Sequence, residues 1–218
     1  MVGIALGAVA VLIGAVVVAR ASHSDRTRGA VIAGSPAAST PSGYTSFVDH
    51  ADRFSIAVPA AWRDVDPSSP GAQQAFQDLV QGNPEIAASL GPNIATMVTK
   101  GMKFFSIDPA AGPAGRPSVN VIAEPALGIN DSDLGDLAQQ LPAGFAKAGA
   151  TMLGSATIPL AGHQALQVTL EVPLTVGGQP VVLHETQDYV AANDLVYVIT
   201  LTGTSPQAVI IASTFRVQ

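Results

Sequence analysis

Residues 183–189 read LHETQDY, the most polar strand-like stretch of the chain. Side chains alternate along a strand, so His184, Thr186 and Asp188 share one face, and Glu185, Gln187 and Tyr189 share the other. A histidine and an aspartate on one face could orient a general base or offer two ligands to a bound group. Such chemistry would suit a small hydrolase built on His184 and Asp188. It also needs a nucleophile, and no G-x-S-x-G, Ser-x-x-Lys or H-E-x-x-H pattern occurs. The segment therefore reads first as a solvated strand face, then as a ligand-contact face, and last as a catalytic one.

The other candidates are weaker. His23 lies in a polar tether, and His163 follows Ala161-Gly162 in a turn with no second histidine near it in sequence, so a metal pair is not indicated. The absence of cysteine removes thiolate metal sites, disulfides and thiol nucleophiles. Asp131, Asp133 and Asp136 resemble half of a calcium loop without its glycine and terminal glutamate, and helix capping explains them better. Gly177-Gly178 joins two strands and is a turn, not a phosphate cradle. No cofactor and no metal are expected.

One stretch is less easily explained by packing. Residues 86–99, IAASLGPNIATMVT, carry no charge, whereas a surface helix usually shows a charged stripe. The segment is either core or a greasy lid that meets something apolar. Ile94, Met97, Met102 and Phe105 would adapt to irregular apolar shapes such as acyl chains. With His184 and Asp188 they form the candidate ligand-binding set. Trp62, the only tryptophan, follows the strand-ending Pro59 and reads as a packing peg.

The elements that must position these residues begin with MVGIALGAVAVLIGAVVVA, residues 1–19, which has no charged side chain. As a helix it spans roughly 28 Å, the thickness of a bilayer's hydrocarbon core. Its length suits a transmembrane anchor, and Ala19-Arg20-Ala21 suits a signal-peptide cleavage site, so residues 1–21 are one or the other. Arg20, Arg26 and Arg28 follow the apolar run and none precedes it, which by the positive-inside rule would keep the domain cytoplasmic. Residues 22–43, rich in Ser, Ala, Pro and Gly, look instead like a flexible extracytoplasmic stalk of roughly 25 Å. We take the chain as a single-pass membrane protein with an extracytoplasmic domain, or a secreted one if cleaved. Without residues 1–21 the chain has 9 basic and 16 acidic residues, a net charge of −7. Phosphate backbones would repel it, so nucleic acid is excluded as a partner.

Residues 44–218 form the folded domain. Phe54, Ile56 and Val58 alternate with small residues until Pro59 stops the ladder. Residues 70–81 and 84–98 read as short helices, 102–107 and 118–124 as strands. Asn130 to Asp133 offer caps to a helix that Pro142 kinks or splits. Four β runs follow, with turns at Val176–Gln179 and Ala192–Asp194, and a short helix over 206–213 closes the chain. In QALQVTLEV, Ala165, Gln167, Thr169 and Glu171 oppose Leu166, Val168, Leu170 and Val172, so this sheet is antiparallel with one polar face. The class is α+β: a central antiparallel sheet with helices on its faces.

The order of the short motifs carries a resemblance. Tyr44 followed by FSIAVPAAW (54–62), TIPLAGHQALQVTLEV (157–172), YVITLTGTS (197–205) and STFR (213–216) resemble the PsbP-like fold and, within it, the LpqN-type family of actinobacterial cell-envelope proteins. The resemblance spans residues 44–218. It implies a non-enzymatic binding or accessory role, with an envelope protein or a lipid as partner. It supplies no catalytic motif. Many members look like lipoproteins; this chain has no acylatable cysteine, and residues 1–19 would take the lipid's place in the membrane.

Overall fold

The computed structural model describes residues 40–67, 71–81, 101–110, 117–126, 128–176, 178–203 and 205–218. The apolar segment 1–19, the tether up to residue 39, and Ile94 and Met97 lie outside them. Among the described residues no helix is long and apolar enough to cross a membrane.

Among the described residues, ten strands, three α-helices and one 3-10 turn (Asp131–Asp133) follow in chain order. The strands are β1 (Tyr44–Asp49), β2 (Phe54–Pro59), β3 (Arg63–Val65), β4 (Met102–Ile107), β5 (Ser118–Pro125), β6 (Thr151–Leu160), β7 (His163–Val176), β8 (Gln179–Ala192), β9 (Leu195–Thr202) and β10 (Arg216–Val217). The helices are α1 (Ala72–Gln81), α2 (Leu134–Lys147) and α3 (Pro206–Thr214). A seven-stranded sheet runs β3-β4-β5-β9-β8-β7-β6, and a smaller one runs β1-β2-β10. Every pairing is antiparallel.

The turns explain the register. Ala161 and Gly162 at φ 56° and 84°, and Asn193 and Asp194 at φ 57° and 60°, are the left-handed pairs that a two-residue hairpin demands. They lock β6 to β7 and β8 to β9 and fix which residues share a face. On one face Met102, Phe105, Ile122, Leu166, Val168, Leu170, Tyr189 and Val198 pack under Phe76 of α1 and Leu134, Leu141 and Phe145 of α2. On the other, Phe104, Val121, Tyr197 and Ile199 meet Phe54, Ile56 and Val58 of β2, Ile211 of α3, Trp62 and Phe215. Tyr197 and Phe215 stand edge to face at 5.6 Å, and Phe54 and Phe215 stack at 5.9 Å. The central sheet is thus covered by helices on one side and by the small sheet with α3 on the other.

One expectation is corrected and two strands are added. Pro142 does not split its helix: α2 runs unbroken through it, with the proline exposed, so the missing N–H falls on the solvent side. β1 and β3 carry no clear apolar alternation and were not foreseen; β1 is held by pairing with β2, and β3 by pairing with β4.

Gly101 enters β4 at φ +87°, and a Cβ there would lie 2.9 Å from the carbonyl oxygen of Ala123. That oxygen belongs to the backbone of β5, so nothing flexible can give way. Gly101→Ala should cost about 1–3 kcal/mol, read as a lowered urea midpoint with an unchanged slope.

Candidate functional site

β8 is the strand that carries the polar residues, and its position in the sheet decides what they can do. It lies between β7 and β9, and its second half has protein on both faces. The expected solvated face is so only at its start: His184 is exposed, Thr186 half-buried and Asp188 0% exposed, while Glu185, Gln187 and Tyr189 on the other face are 4%, 0% and 0% exposed. Alternation cannot reveal this, because it separates two faces and does not say that both are covered.

On the helix-covered face Tyr189 Oη donates to Gln187 Oε1 at 2.8 Å. Gln187 Nε2 and Thr202 Oγ1 donate to the two oxygens of Glu185 at 3.5 and 3.3 Å. These two bonds are long, so they offset little of the cost of burying a carboxylate. Burial pushes the Glu185 carboxyl up to about 7, against the lowering effect of Thr202 and Gln187. Burial, reinforced by the neighbouring Glu185, also holds the Tyr189 phenol well above its ordinary range. Asn120 lies in register with Phe105 on one side and Thr200 on the other, and Thr200 in turn faces Gln187. Its Oδ1 is buried with no hydrogen-bond partner among the described residues.

The opposite face carries three cross-strand pairs in sequence: Gln167 with Asp188, Thr169 with Thr186, and Glu171 with His184. Gln167 Nε2 donates to Asp188 Oδ1 at 2.9 Å, while Asp188 Oδ2 is buried without a partner among the described residues. Burial raises the Asp188 carboxyl, opposed by the Gln167 bond. At the far end His184 Nδ1 lies 3.8 Å from Glu171 Oε1, with both side chains well exposed. The pairs form a polar ladder that runs from core to solvent.

His184 and Asp188 therefore share a face, as the alternation predicts, but they do not form a working pair. Four residues of strand separate them, about 13 Å. Each has its own cross-strand partner. Met102 and Phe105, at 3% and 1% exposed, belong to the core of the opposite face, so they do not meet His184 and Asp188 in one pocket. An exposed imidazole near an exposed carboxylate contributes little to folding. His184→Ala should shift the unfolding free energy by less than about 0.5 kcal/mol in urea titration.

A groove of about 690 Å³ opens at the end of the sheet where β7 begins and β8 ends. Ile129 and Ala191 line it together with Asp131, His163, Asn193 and Asp194. Asp131, expected only as a capping residue, accepts from the backbone N of Gln164 at 3.0 Å, and its other oxygen lies 3.8 Å from His163 Nδ1. Asn130 is the cap, with its Oδ1 accepting from the backbone N of Ser132. Sequence spacing gave no sign of the groove, because the hairpins bring its residues together from distant points. Among the described residues no three His, Asp or Glu side chains converge as a metal site would require.

Comparison with known proteins gives fold-level likeness. No curated protein matches the chain. Among solved structures, the cyanobacterial PsbP protein CyanoP of Synechocystis is similar at 14% identity and a TM-score of 0.46, covering 85% of this chain and 98% of its own. LpqN of Mycobacterium tuberculosis, described as involved in cell envelope biogenesis, is similar at 14% identity and a TM-score of 0.42, covering 80% of this chain and 91% of its own. A protein of unknown function from Pseudomonas aeruginosa is similar at 18% identity and a TM-score of 0.39, covering 77% and 86%. The family model that matches is that of PsbP, over residues 42–105, the stretch from the approach to β1 into β4.

Proposed function

We propose that this chain is a non-enzymatic, membrane-tethered binding or accessory domain of the LpqN type, held outside the cytoplasm by residues 1–19 and engaging an envelope protein or a lipid. The observation that carries this reading is the division of the polar side chains. Asp188 is bonded to Gln167 inside the sheet, Glu185 to Gln187 and Thr202 on the opposite face, and His184 stands beside Glu171 in solvent. Groups that could act together in catalysis are distributed as single, internally partnered residues. What the described surface offers is contact area: an open groove lined by polar residues with Ile129 and Ala191 among them, and a ten-residue edge strand, β6, with no described strand on its outer side. The motif order of residues 44–218 and the net charge of −6 for the whole chain support an envelope role over nucleic-acid binding.

Photocrosslinking in intact cells tests the reading. A crosslinker placed at Asn193 in the groove, or on the outer strands, should trap a discrete envelope protein, or a lipid detected by mass spectrometry. Hydrolytic activity that disappears in a His184→Ala variant would overturn it.

A further inference from the structure

The chain enters its folded domain through a sharp turn. Tyr44 N donates to Pro41 O at 3.1 Å, and Gly43, between them, stands at φ +80°. A glycine at positive φ in the third place of a four-residue turn is the mark of type II, which reverses the chain. Ala60 N pins the turn by donating to Gly43 O at 2.9 Å. Going back from Pro41, the sequence is therefore sent alongside β1, from its Tyr44 end toward its Asp49 end.

The groove lies at that end. Arg53, in the turn between β1 and β2, donates from its guanidinium to the backbone O of Asn193 at 3.0 Å, and Asn193 lines the groove. From Tyr44 to Asp49 β1 is about 17 Å long. The prolines at 36 and 41 favour an extended run between them, about 16 Å long. Pro36 would thus draw level with Asp49, and the residues that next come to the groove are RTRGAVIAG, 26–34.

This stretch and the groove are complementary. Ala30, Val31, Ile32 and Ala33 are the longest apolar run of the tether, and Arg26 and Arg28 precede it. The groove sets Ile129 and Ala191 beside Asp131 and Asp194, and no lysine or arginine lines it. Asp131 accepts from Gln164 N with one oxygen, and the other is 3.8 Å from His163, so neither contact supplies a fixed positive charge. Asp194 is exposed. A segment linked so closely to its site acts at an effective concentration on the order of millimolar, so weak contacts suffice to seat it.

Resting on the reading of the groove as a binding surface, we infer that residues 26–34 of the tether fold back and occupy it, with Val31 and Ile32 against Ile129 and Ala191, and Arg26 and Arg28 toward Asp131 and Asp194. A partner must then displace the chain's own segment.

Trypsin reads the contact in the full-length chain in detergent, because it cleaves after Arg26 and Arg28, and cleavage of a segment that opens quickly tracks the open population. Cleavage there should be at least tenfold faster when Asp131 and Asp194 are both replaced by asparagine, which keeps an acceptor for Gln164 N. It should be severalfold faster when Val31 and Ile32 are both replaced by serine, a change outside the folded domain. Equal rates in the parent and the serine variant would overturn the inference, since a micelle that shields the tether protects both alike. A photocrosslinker at the exposed Ser132 should join the groove to residues 26–34 of the same chain, located by peptide mapping. Joining only to another copy would overturn it. In cells, deletion of residues 29–34 should raise partner capture from Asn193. Partner capture without tether protection would overturn the inference while the binding reading stands. Tether protection with no capture from either chain would overturn the binding reading alone.

Discussion

Replacing Trp62 by alanine should destabilise the fold by about 3–5 kcal/mol, the usual cost of removing a large aromatic side chain from a packed core. Trp62 is 8% exposed and packs with Phe54, Ile56, Val58 and Phe104 between the small sheet and the central one. Its backbone N donates to Pro59 O at 2.9 Å, so the turn that ends β2 delivers the ring to that place. The neighbouring aromatic contacts are already engaged, Phe47 with Phe104 at 4.6 Å and Phe54 with Tyr197 at 6.0 Å, and cannot collapse into the gap without breaking. Because the variant lacks the only tryptophan, circular dichroism in urea is the measurement. An unchanged midpoint accompanied by a lost partner would mean that Trp62 binds and does not pack.

Glu185 gives the second large effect, and its sign depends on pH. Its carboxyl titrates near 4.5 in an unfolded chain and at about 7 in the fold. Below about pH 4.5 it is protonated in both states, and its burial carries no charge penalty. As pH rises toward 7 the unfolded chain releases the proton first, so folding stability falls; above about 7 both states are ionised and the loss is complete. The loss amounts to about 3 kcal/mol. Glu185→Gln removes the charge and keeps the shape. The variant should match the parent near pH 4.5 and exceed it by about 3 kcal/mol at pH 8 in urea titrations. Asp188, also raised by burial, acts in the same direction but is present in both proteins and cancels in the comparison. Parallel pH curves for the two proteins would show that Glu185 is not a buried free carboxyl.

Much of the architecture could be read from residue order. β7 was visible because Leu166, Val168, Leu170 and Val172 alternate strictly with polar residues, and all four are buried. The turn at Asn193-Asp194 and the closing helix were visible because turn and cap chemistry is local: Ser205 accepts from the backbone N of Gln207, and Pro206 follows at the first turn. What was not visible is whatever depends on a layer brought from elsewhere. The burial of Glu185 and Asp188 on opposite faces needs α2 on one side and the small sheet on the other, and nothing within LHETQDY records either. Asp131 meets Gln164 only because the hairpins return there. Ile94 and Met97 lie outside the described residues, and Met102 and Phe105 show how apolar residues beside a suspected lid can simply be core.

The position of β9 has a consequence for how the chain is made. β6 to β9 pair with their sequence neighbours, so that meander can form from residues synthesised in succession. β5 cannot: Val119, Val121 and Ala123 find their partners Leu201, Ile199 and Tyr197 only when nearly the whole chain exists. Long-range pairings of this kind slow folding. The nascent amino-terminal half therefore carries β4 paired to β5 with the apolar outer edge of β5 open until β9 arrives, and through that interval the edge is exposed to aggregation and to protease.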